Sequence, residues 1–253
     1  VDDNRTLLAH RVFTQLEEHE AFGGVVPEVA ARAHLQLLEP LLRQTLMDAQ
    51  ISLKDIDGVA VTCGPGLIGG VMVGVMMAKS IAAVHNKPFL AINHLAGHGL
   101  MPRMTHDLAF PYLLLLVSGG HCQIAIVKSA VDFELLGSTQ DDAVGECFDK
   151  CAKMMGLPYP GGPNVEKMAL KGDQKKVKLP RPLKGGTKDG QGCQFSFSGL
   201  KSAVRREIEK KDGDLSSQDK ADLCASLQLA VAETLADRLT NALTYCGDSQ
   251  VTL

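Results

Sequence analysis

Tyr112-Leu113-Leu114-Leu115-Leu116-Val117-Ser118-Gly119-Gly120-His121-Cys122-Gln123-Ile124-Ala125-Ile126-Val127 is the stretch whose reading decides the fold. Its first six residues are a near-continuous apolar run, the pattern of a strand covered on both faces. Ser118-Gly119-Gly120 makes a tight turn, and a second strand is expected at 123–127 and a third at 133–137. The turn is expected to expose consecutive backbone N–H groups, which can form a nest for an anion such as phosphate. A plain hairpin turn is the simpler alternative.

Upstream, helix and strand signals alternate. A helix is expected over Pro27–Ala49, with Ala30, Leu37, Leu38, Leu41 and Leu42 at helical spacing. A strand at 56–63, a helix at 69–84 and a strand at 89–92 follow. This alternation predicts an α/β architecture. Asp2-Asp3-Asn4-Arg5 reads as a hairpin turn with an outgoing strand at 6–13, so the hairpin at 112–127 repeats the opening of the chain. That repeat argues for two similar lobes, 1–108 and 109–253, with the boundary within 104–111. The second lobe is expected to end with a helix at 220–243, Cys246-Gly247-Asp248 and a strand-like stub at 250–253. Both ends read as clipped, because the incoming strand of the first hairpin is missing apart from Val1 and a parallel α/β fold should continue past the stub.

The composition narrows the options. Apolar content of 45% supports a real core, and a net charge of −3 does not announce a nucleic-acid partner, although a local basic patch can still bind one. With no Trp and only 4% aromatics, base-stacking platforms of the single-strand-binding type are not expected. The seven cysteines contain no C-x-x-C and read as small buried hydrophobes of a reducing compartment, although Cys147 and Cys151, at i and i+4, permit a metal pair. No signal peptide is visible, and the apolar run at 70–84 is broken by Lys79 and too short to span a bilayer, so a cytosolic protein is expected.

His94-Leu95-Ala96-Gly97-His98 follows a short strand and opens a helix. Histidines at i and i+4 share a helix face, so both imidazoles can reach one metal ion, at about 2.0–2.1 Å if it is zinc. The familiar zinc-protease helix carries a Glu after the first His, where this chain has Leu95, and no acid occurs from 58 to 106. Such a pair suits a metal that orients or polarises a substrate better than one that generates hydroxide.

Other segments carry weaker signals. Gly64-Pro65-Gly66-Leu67-Ile68-Gly69 matches G-x-G-x-x-G, but the acid a dinucleotide site needs about 20 residues later is absent, which leaves close helix–strand packing or the lining of a cleft as the role of these glycines. No Walker A sequence occurs: Gly74 is followed by Val75, and Lys79-Ser80 lacks the preceding glycine. Asp141, Asp142 and Glu146 are expected to suit the dipole of a helix start, while Asp149 lies deeper and can face a ligand's hydroxyls. Tyr159-Pro160-Gly161-Gly162-Pro163 reads as a rigid turn. Phe195-Ser196-Phe197-Ser198-Gly199-Leu200-Lys201 precedes a basic helix bearing Arg205, Arg206, Lys210 and Lys211. The segment 171–188, with seven basic residues, one acid, Pro180, Pro182 and Gly185-Gly186, is expected to be a mobile surface loop, either a solvated charge run or a contact for phosphates.

Together, Gly23-Gly24-Val25-Val26-Pro27-Glu28, Gly64-Pro65-Gly66, His94-x-x-Gly97-His98, Ser118-Gly119-Gly120-His121, Phe148-Asp149-Lys150, Tyr159-Pro160-Gly161-Gly162-Pro163 and Phe197-Ser198-Gly199-Leu200-Lys201 resemble, in order, the tRNA threonylcarbamoyladenosine transferases, called TsaD in bacteria and formerly glycoproteases. Each segment alone is weak; seven in register over essentially the whole chain are specific, and the wording is closest to the bacterial and mitochondrial branch. The resemblance implies the actin-like ATPase fold, two ribonuclease-H-like lobes around a cleft. It implies transfer of a threonylcarbamoyl group from threonylcarbamoyl-adenylate to N6 of adenosine 37 in tRNAs reading ANN codons. His94 and His98 match the family's catalytic metal ligands for one divalent ion, iron or zinc. Leu116, Val117, Ser118, Gly119 and Gly120 match its nest around the adenylate, or ATP or AMP, and Asp149 and Gly162 match positions that hold the ribose and base. Implied partners are tRNA, a paralogue dimer partner and, in bacteria, a small ATPase, with no membrane, in the cytoplasm or alternatively the mitochondrion. The family's acid-rich first strand would precede Val1, and its third metal ligand, an Asp, and an Asn-bearing glycine segment would follow Leu253, so the chain as it stands is expected to bind metal weakly and to be inactive. Three alternatives compete. A zinc peptidase is opposed by Leu95, and a non-catalytic scaffold paralogue by the retained histidine pair. An actin-fold sugar kinase would need a γ-phosphate site and a catalytic Asp that are not evident.

Overall fold

The computed structural model describes residues 1–2, 4–15, 25–184 and 192–247. Asp3, Gly23-Gly24, Gly185-Gly186, Lys188, Asp248 and the stub at 250–253, each used in the readings above, lie outside the described residues. The chain divides into two compact units, Val1–Asp107 and Leu108–Leu253. The architecture is α/β with one parallel and one antiparallel sheet.

The first unit contains α1 (Pro27–Ala49), β1 (Val59–Gly64), α2 (Ile68–Val84), β2 (Phe89–Asn93) and α3 (His94–Thr105). β1 and β2 pair in parallel, from Val59 opposite Phe89 to Gly64 opposite Asn93, and α2 makes the crossover that a parallel pair requires. The glycines of the 64–69 segment serve packing. A Cβ on Gly66 would sit 2.9 Å from Val71 Cγ2, and one on Gly69 would sit 3.1 Å from Ala31 Cβ of α1. The expected close contact is thus with helices rather than with a strand. Gly64 holds a φ of +139°, which side chains rarely adopt, so the turn leaving β1 needs glycine there.

The opening turn forms: Asp2 Oδ1 accepts the Asn4 and Thr6 N–H groups at 3.0 and 2.8 Å. The outgoing strand expected at 6–13 does not. No strand pairs with it among the described residues, so its backbone has no ladder, and Val12 and Phe13 are 75% and 53% exposed.

In the second unit β3 (Tyr112–Val117), β4 (Cys122–Val127) and β5 (Phe133–Ser138) form an antiparallel sheet in that order. β4 is central, and every residue of it except Gln123 is buried, which is why its sequence is apolar almost throughout. The helices are α4 (Val144–Met154), α5 (Gly161–Ala169), α6 (Ser198–Glu209) and α7 (Ser217–Cys246). Ile124, Leu136, Met155, Val165, Phe195, Phe197, Leu200, Val204 and Leu227, all under 3% exposed, form the core between them. The run 193–197 lies beside β5: Thr139 and Phe195 form a parallel bridge, and a Cβ on Gly137 would collide with Cys193 O at 2.1 Å.

Three expectations need correction here. Tyr159-Pro160-Gly161-Gly162-Pro163 is not only a turn, because Gly161 opens α5. The described part of the basic segment, 171–184, is not a free loop. It runs along one face of α7, where Asp173 N–H donates to Asp222 Oδ1 at 2.8 Å, Val177 N–H donates to Ser226 Oγ at 3.2 Å, and Leu179 is buried. Gly172 fits against α7 so closely that a Cβ would lie 2.0 Å from Ala221 O. Finally, Cys147 and Cys151 are fully buried, and the Cys147 contact together with burial pushes the Cys151 thiol well above its ordinary value, which opposes the thiolate a metal needs. Six of the seven cysteines are buried.

Candidate functional site

The histidine pair is built by the end of the parallel sheet. Asn93, the last residue of β2, is the N-cap of α3: its Oδ1 accepts from Leu95 N–H at 2.9 Å and Ala96 N–H at 3.1 Å. The cap fixes where the helix begins, and so puts His94 and His98 one turn apart on one face. Their ring centroids are 4.5 Å apart and nearly perpendicular, close enough for both imidazoles to reach one ion. His98 is exposed and His94 partly so. The strands are parallel and Gly64 pairs with Asn93, so the Gly64-Pro65-Gly66 turn leaves the same sheet end as the histidines, the usual ligand-binding end in such sheets. The pair fits a metal as two donors of a larger set. Among the described residues no group of three or more His, Cys, Asp or Glu side chains converges to complete it.

The second unit brings its expected binding residues onto one helix. Ser118, Gly119, Gly120 and His121 form the β3–β4 turn, with Ser118 N–H donating to His121 O at 2.8 Å and His121 N–H donating to Ser118 Oγ at 3.0 Å. The first turn of α4 packs against it: Gly145 N–H donates to Ser118 O at 3.3 Å, and a Cβ on Gly145 would sit 2.7 Å from Gly119 Cα. Gly145 thus lets the positive end of α4 abut the turn. One helical turn on, Asp149 Oδ1 accepts from Gly161 N–H at 2.8 Å, tying the start of α5 to the same face. Ser118-Gly119-Gly120, Asp149 and Gly162 are therefore joined through the Gly145–Asp149 edge of α4. A Cβ on Gly119, Gly120 or Gly162 would meet nothing within 4 Å, and none of the three has a left-handed φ. Neither backbone strain nor crowding explains glycine there. Leu116 is buried and so offers a ligand only its backbone, while Val117 is 41% exposed.

The acids at 141–146 do more than complement a helix dipole. Asp141 accepts from Phe197 N–H and Ser198 N–H at 2.7 and 3.1 Å and from the Ser196 and Ser198 hydroxyls at 2.6 Å each, so it caps α6 from a distance. Burial pushes this carboxyl up, but the hydrogen bonds from Ser196, Ser198 and the two amides outweigh it and hold the pKa below its ordinary value. Asp142 pairs with Lys150 at 2.7 Å and Lys201 at 3.5 Å, and Lys150 also meets Glu146. Asp142 and Glu146 raise the Lys150 pKa. The Phe197-Ser198-Gly199-Leu200-Lys201 segment is thereby locked to the helix that carries Gly145 and Asp149. The roles of Gly145, Asn93 and Asp141 were missed from sequence. A glycine inside a helix pattern and an Asn just before one were the available signals for the first two.

Comparisons with known proteins place the chain in a family. Residues 6–253 match the family TsaD: tRNA N6-adenosine threonylcarbamoyltransferase. Curated proteins with that name from Brucella anthropi and Brucella abortus are 56% identical over 237 residues, 94% of this chain and 65% of theirs. The chain thus spans a little under two thirds of the length of these relatives. A solved structure described as YeaZ from Pseudomonas aeruginosa aligns over 75% of this chain and 84% of its own at 17% identity, with a TM-score of 0.32, a likeness too low to bear on fold or function. The chain belongs to the tRNA N6-adenosine threonylcarbamoyltransferase family.

Proposed function

We propose that this chain is the part of a transferase that binds threonylcarbamoyl-adenylate and passes its threonylcarbamoyl group to N6 of adenosine 37 in tRNAs reading ANN codons. The observation that carries the reading is the assembly of Ser118-Gly119-Gly120, Asp149 and Gly162 along one face of α4, with glycines that the fold does not itself require. The family membership gives the reaction its class.

The chemistry needs little from side chains. The donor is a mixed anhydride of a carbamate and a phosphate and is already activated. The amine N6 attacks the carbamoyl carbon and a C–N bond forms. The C–O bond to phosphate breaks, AMP leaves with the electron pair, and N6 loses a proton. The work left to the protein is to hold the two reactants in line and keep water out. The 118–120 turn and the α4 N-terminus would hold the phosphate by backbone N–H groups and dipole, with Leu116 and Val117 shaping the approach. Asp149, with one carboxylate oxygen bonded to Gly161 N–H, keeps the other for a ribose hydroxyl, and Gly162 leaves room for the base. His94 and His98 would hold a divalent ion, iron or zinc, whose charge would polarise acyl or phosphate oxygens. No acid occurs from 58 to 106, so no local base supports a hydrolytic use of that ion.

The two-lobe actin-like arrangement is part of the same proposal. It draws support from the glycine turn after a parallel strand in one unit and the hairpin sheet followed by a helix in the other. A paralogue partner and a small ATPase belong to it as expected associates. No helix among the described residues is long and apolar enough to cross a membrane, and the proposed setting is the cytoplasm, with the mitochondrion as alternative. The test supplies full-length protein with synthetic adenylate, ANN-decoding tRNA and the paralogue partner, with and without His94→Ala. Modified adenosine that disappears in the variant supports both the transfer and the metal role. Modified adenosine that persists removes the metal role, and its absence from wild type as well removes the transferase.

A further inference from the structure

The basic segment carries more than its composition. Its backbone is strapped along one side of α7 by contacts in register: Lys171 O with Gln218 Nε2, Gly172 with Ala221, Asp173 N–H with Asp222, Val177 N–H with Ser226, and Arg181 with Glu233. From Gln218 to Glu233 this spans about 22 Å of helix at about 1.5 Å per residue. Lysines on this strap are therefore held in a row, and side-chain freedom is the main entropy left to lose on binding.

The charges around it are unevenly spent. Every acid along the strap already serves the fold. Asp173 Oδ1 accepts from Lys175 N–H, Asp222 Oδ1 accepts from Asp173 N–H and Gln218 Nε2, Glu233 pairs with Arg181, and Asp219 pairs with Lys211 and Ser216. Lys171, Lys175, Lys176 and Lys178 are all exposed, and among the described residues none of their ammonium groups forms a close ion pair, Lys176 acting on Asp222 only through longer-range charge. A fixed row of unpaired cations on an otherwise acidic chain, with no aromatic side chain on it to stack bases, suits a phosphate backbone rather than base edges.

We infer that the strap formed by 171–181 on α7 is the surface on which this protein holds the tRNA backbone, through Lys171, Lys175, Lys176 and Lys178. This rests on the proposed function and names its nucleic-acid interface. The contact sets affinity and register and carries no sequence preference. Its salt dependence follows from counterion release, with a slope of about 0.7–0.9 per phosphate neutralised.

The test measures tRNA binding by the full-length protein against salt concentration, for wild type, for a Lys171→Gln, Lys175→Gln, Lys176→Gln, Lys178→Gln variant, and for a Lys54→Gln, Lys79→Gln, Lys87→Gln control in the first unit. Adenylate binding without tRNA reports that the fold is intact. The inference expects the strap variant to flatten the slope by about 3 and to weaken binding about tenfold or more near 0.1 M salt, with adenylate binding unchanged. An unchanged slope in the strap variant, with wild type still binding and modifying tRNA, overturns the inference and leaves the transferase standing. That holds also if the variant loses an acidic protein partner instead. An equal fall in the control shows net charge rather than a surface and overturns it as well. Wild type that neither binds nor modifies tRNA overturns the interface and the function together.

Discussion

Gly119 and Gly145 touch each other and make opposite predictions. A methyl on Gly119 enters open space, so Gly119→Ala should change stability by no more than about 0.5 kcal/mol, while weakening adenylate binding if the backbone there cradles phosphate. A methyl on Gly145 strikes the Gly119 backbone, so Gly145→Ala should cost about 1–3 kcal/mol in denaturant unfolding. If Gly119→Ala left adenylate affinity intact, the nest would be a plain turn. Asp149→Ala should cost about 1 kcal/mol through loss of the α5 cap, and more in adenylate affinity than in stability. The turn at 118–120 was legible from two glycines after an apolar run. Its partner Gly145 was not, because nothing local shows which residue a helix start will pack against.

At the scale of elements, the segments that fold by local rules could be read and those fixed by distant contacts could not. Pro27–Ala49 carries its own helical spacing and Tyr112–Val117 a continuous apolar run, and both form with the expected bounds. The 6–13 strand fails because a strand needs a neighbour, and the basic segment is held rather than mobile because of anchors, Asp222 and Ser226, that lie some 50 residues away. Gly172→Ala should lift that segment from α7, costing about 1–3 kcal/mol and freeing the backbone at its lysines for trypsin; unaltered cleavage would deny that the strap is held. Asp141 was read as part of a helix start but caps α6 instead. Its carboxyl pKa is lowered in the fold, so its contribution is complete above the ordinary value of 3.8 and is lost as pH falls through the lower folded value. Asp141→Asn should therefore destabilise by about 1 kcal/mol at neutral pH, a figure kept low by solvent screening, and the gap to wild type should close in acid. A gap that did not narrow while acid protonates the Asp141 carboxyl would remove the ionised cap.

For the molecule as a whole, the two units differ in how much they bury. The contiguous core lies in the second unit, from Leu113 to Cys246, while the buried apolar side chains described in the first are Ala30, Ala78 and Ala82. Local stability follows buried contact, so amide exchange in this chain should be slowest in β3, β4, α4 and α7 and markedly faster in β1 and β2. Equal protection in both sheets would contradict that. The α/β class could be read from the alternation of strand and helix, and the histidine face from its spacing alone. Completion of the metal set could not be read, because among the described residues no third His, Cys, Asp or Glu side chain converges on the pair.

The most direct test of the central claim is mass spectrometry of tRNA after incubation with full-length protein, synthetic threonylcarbamoyl-adenylate and the paralogue partner. Threonylcarbamoyl-adenosine at position 37 that is made by wild type and lost with Gly119→Ala and His94→Ala is the predicted result. Wild-type protein that consumes the adenylate and leaves the tRNA unmodified would contradict the account.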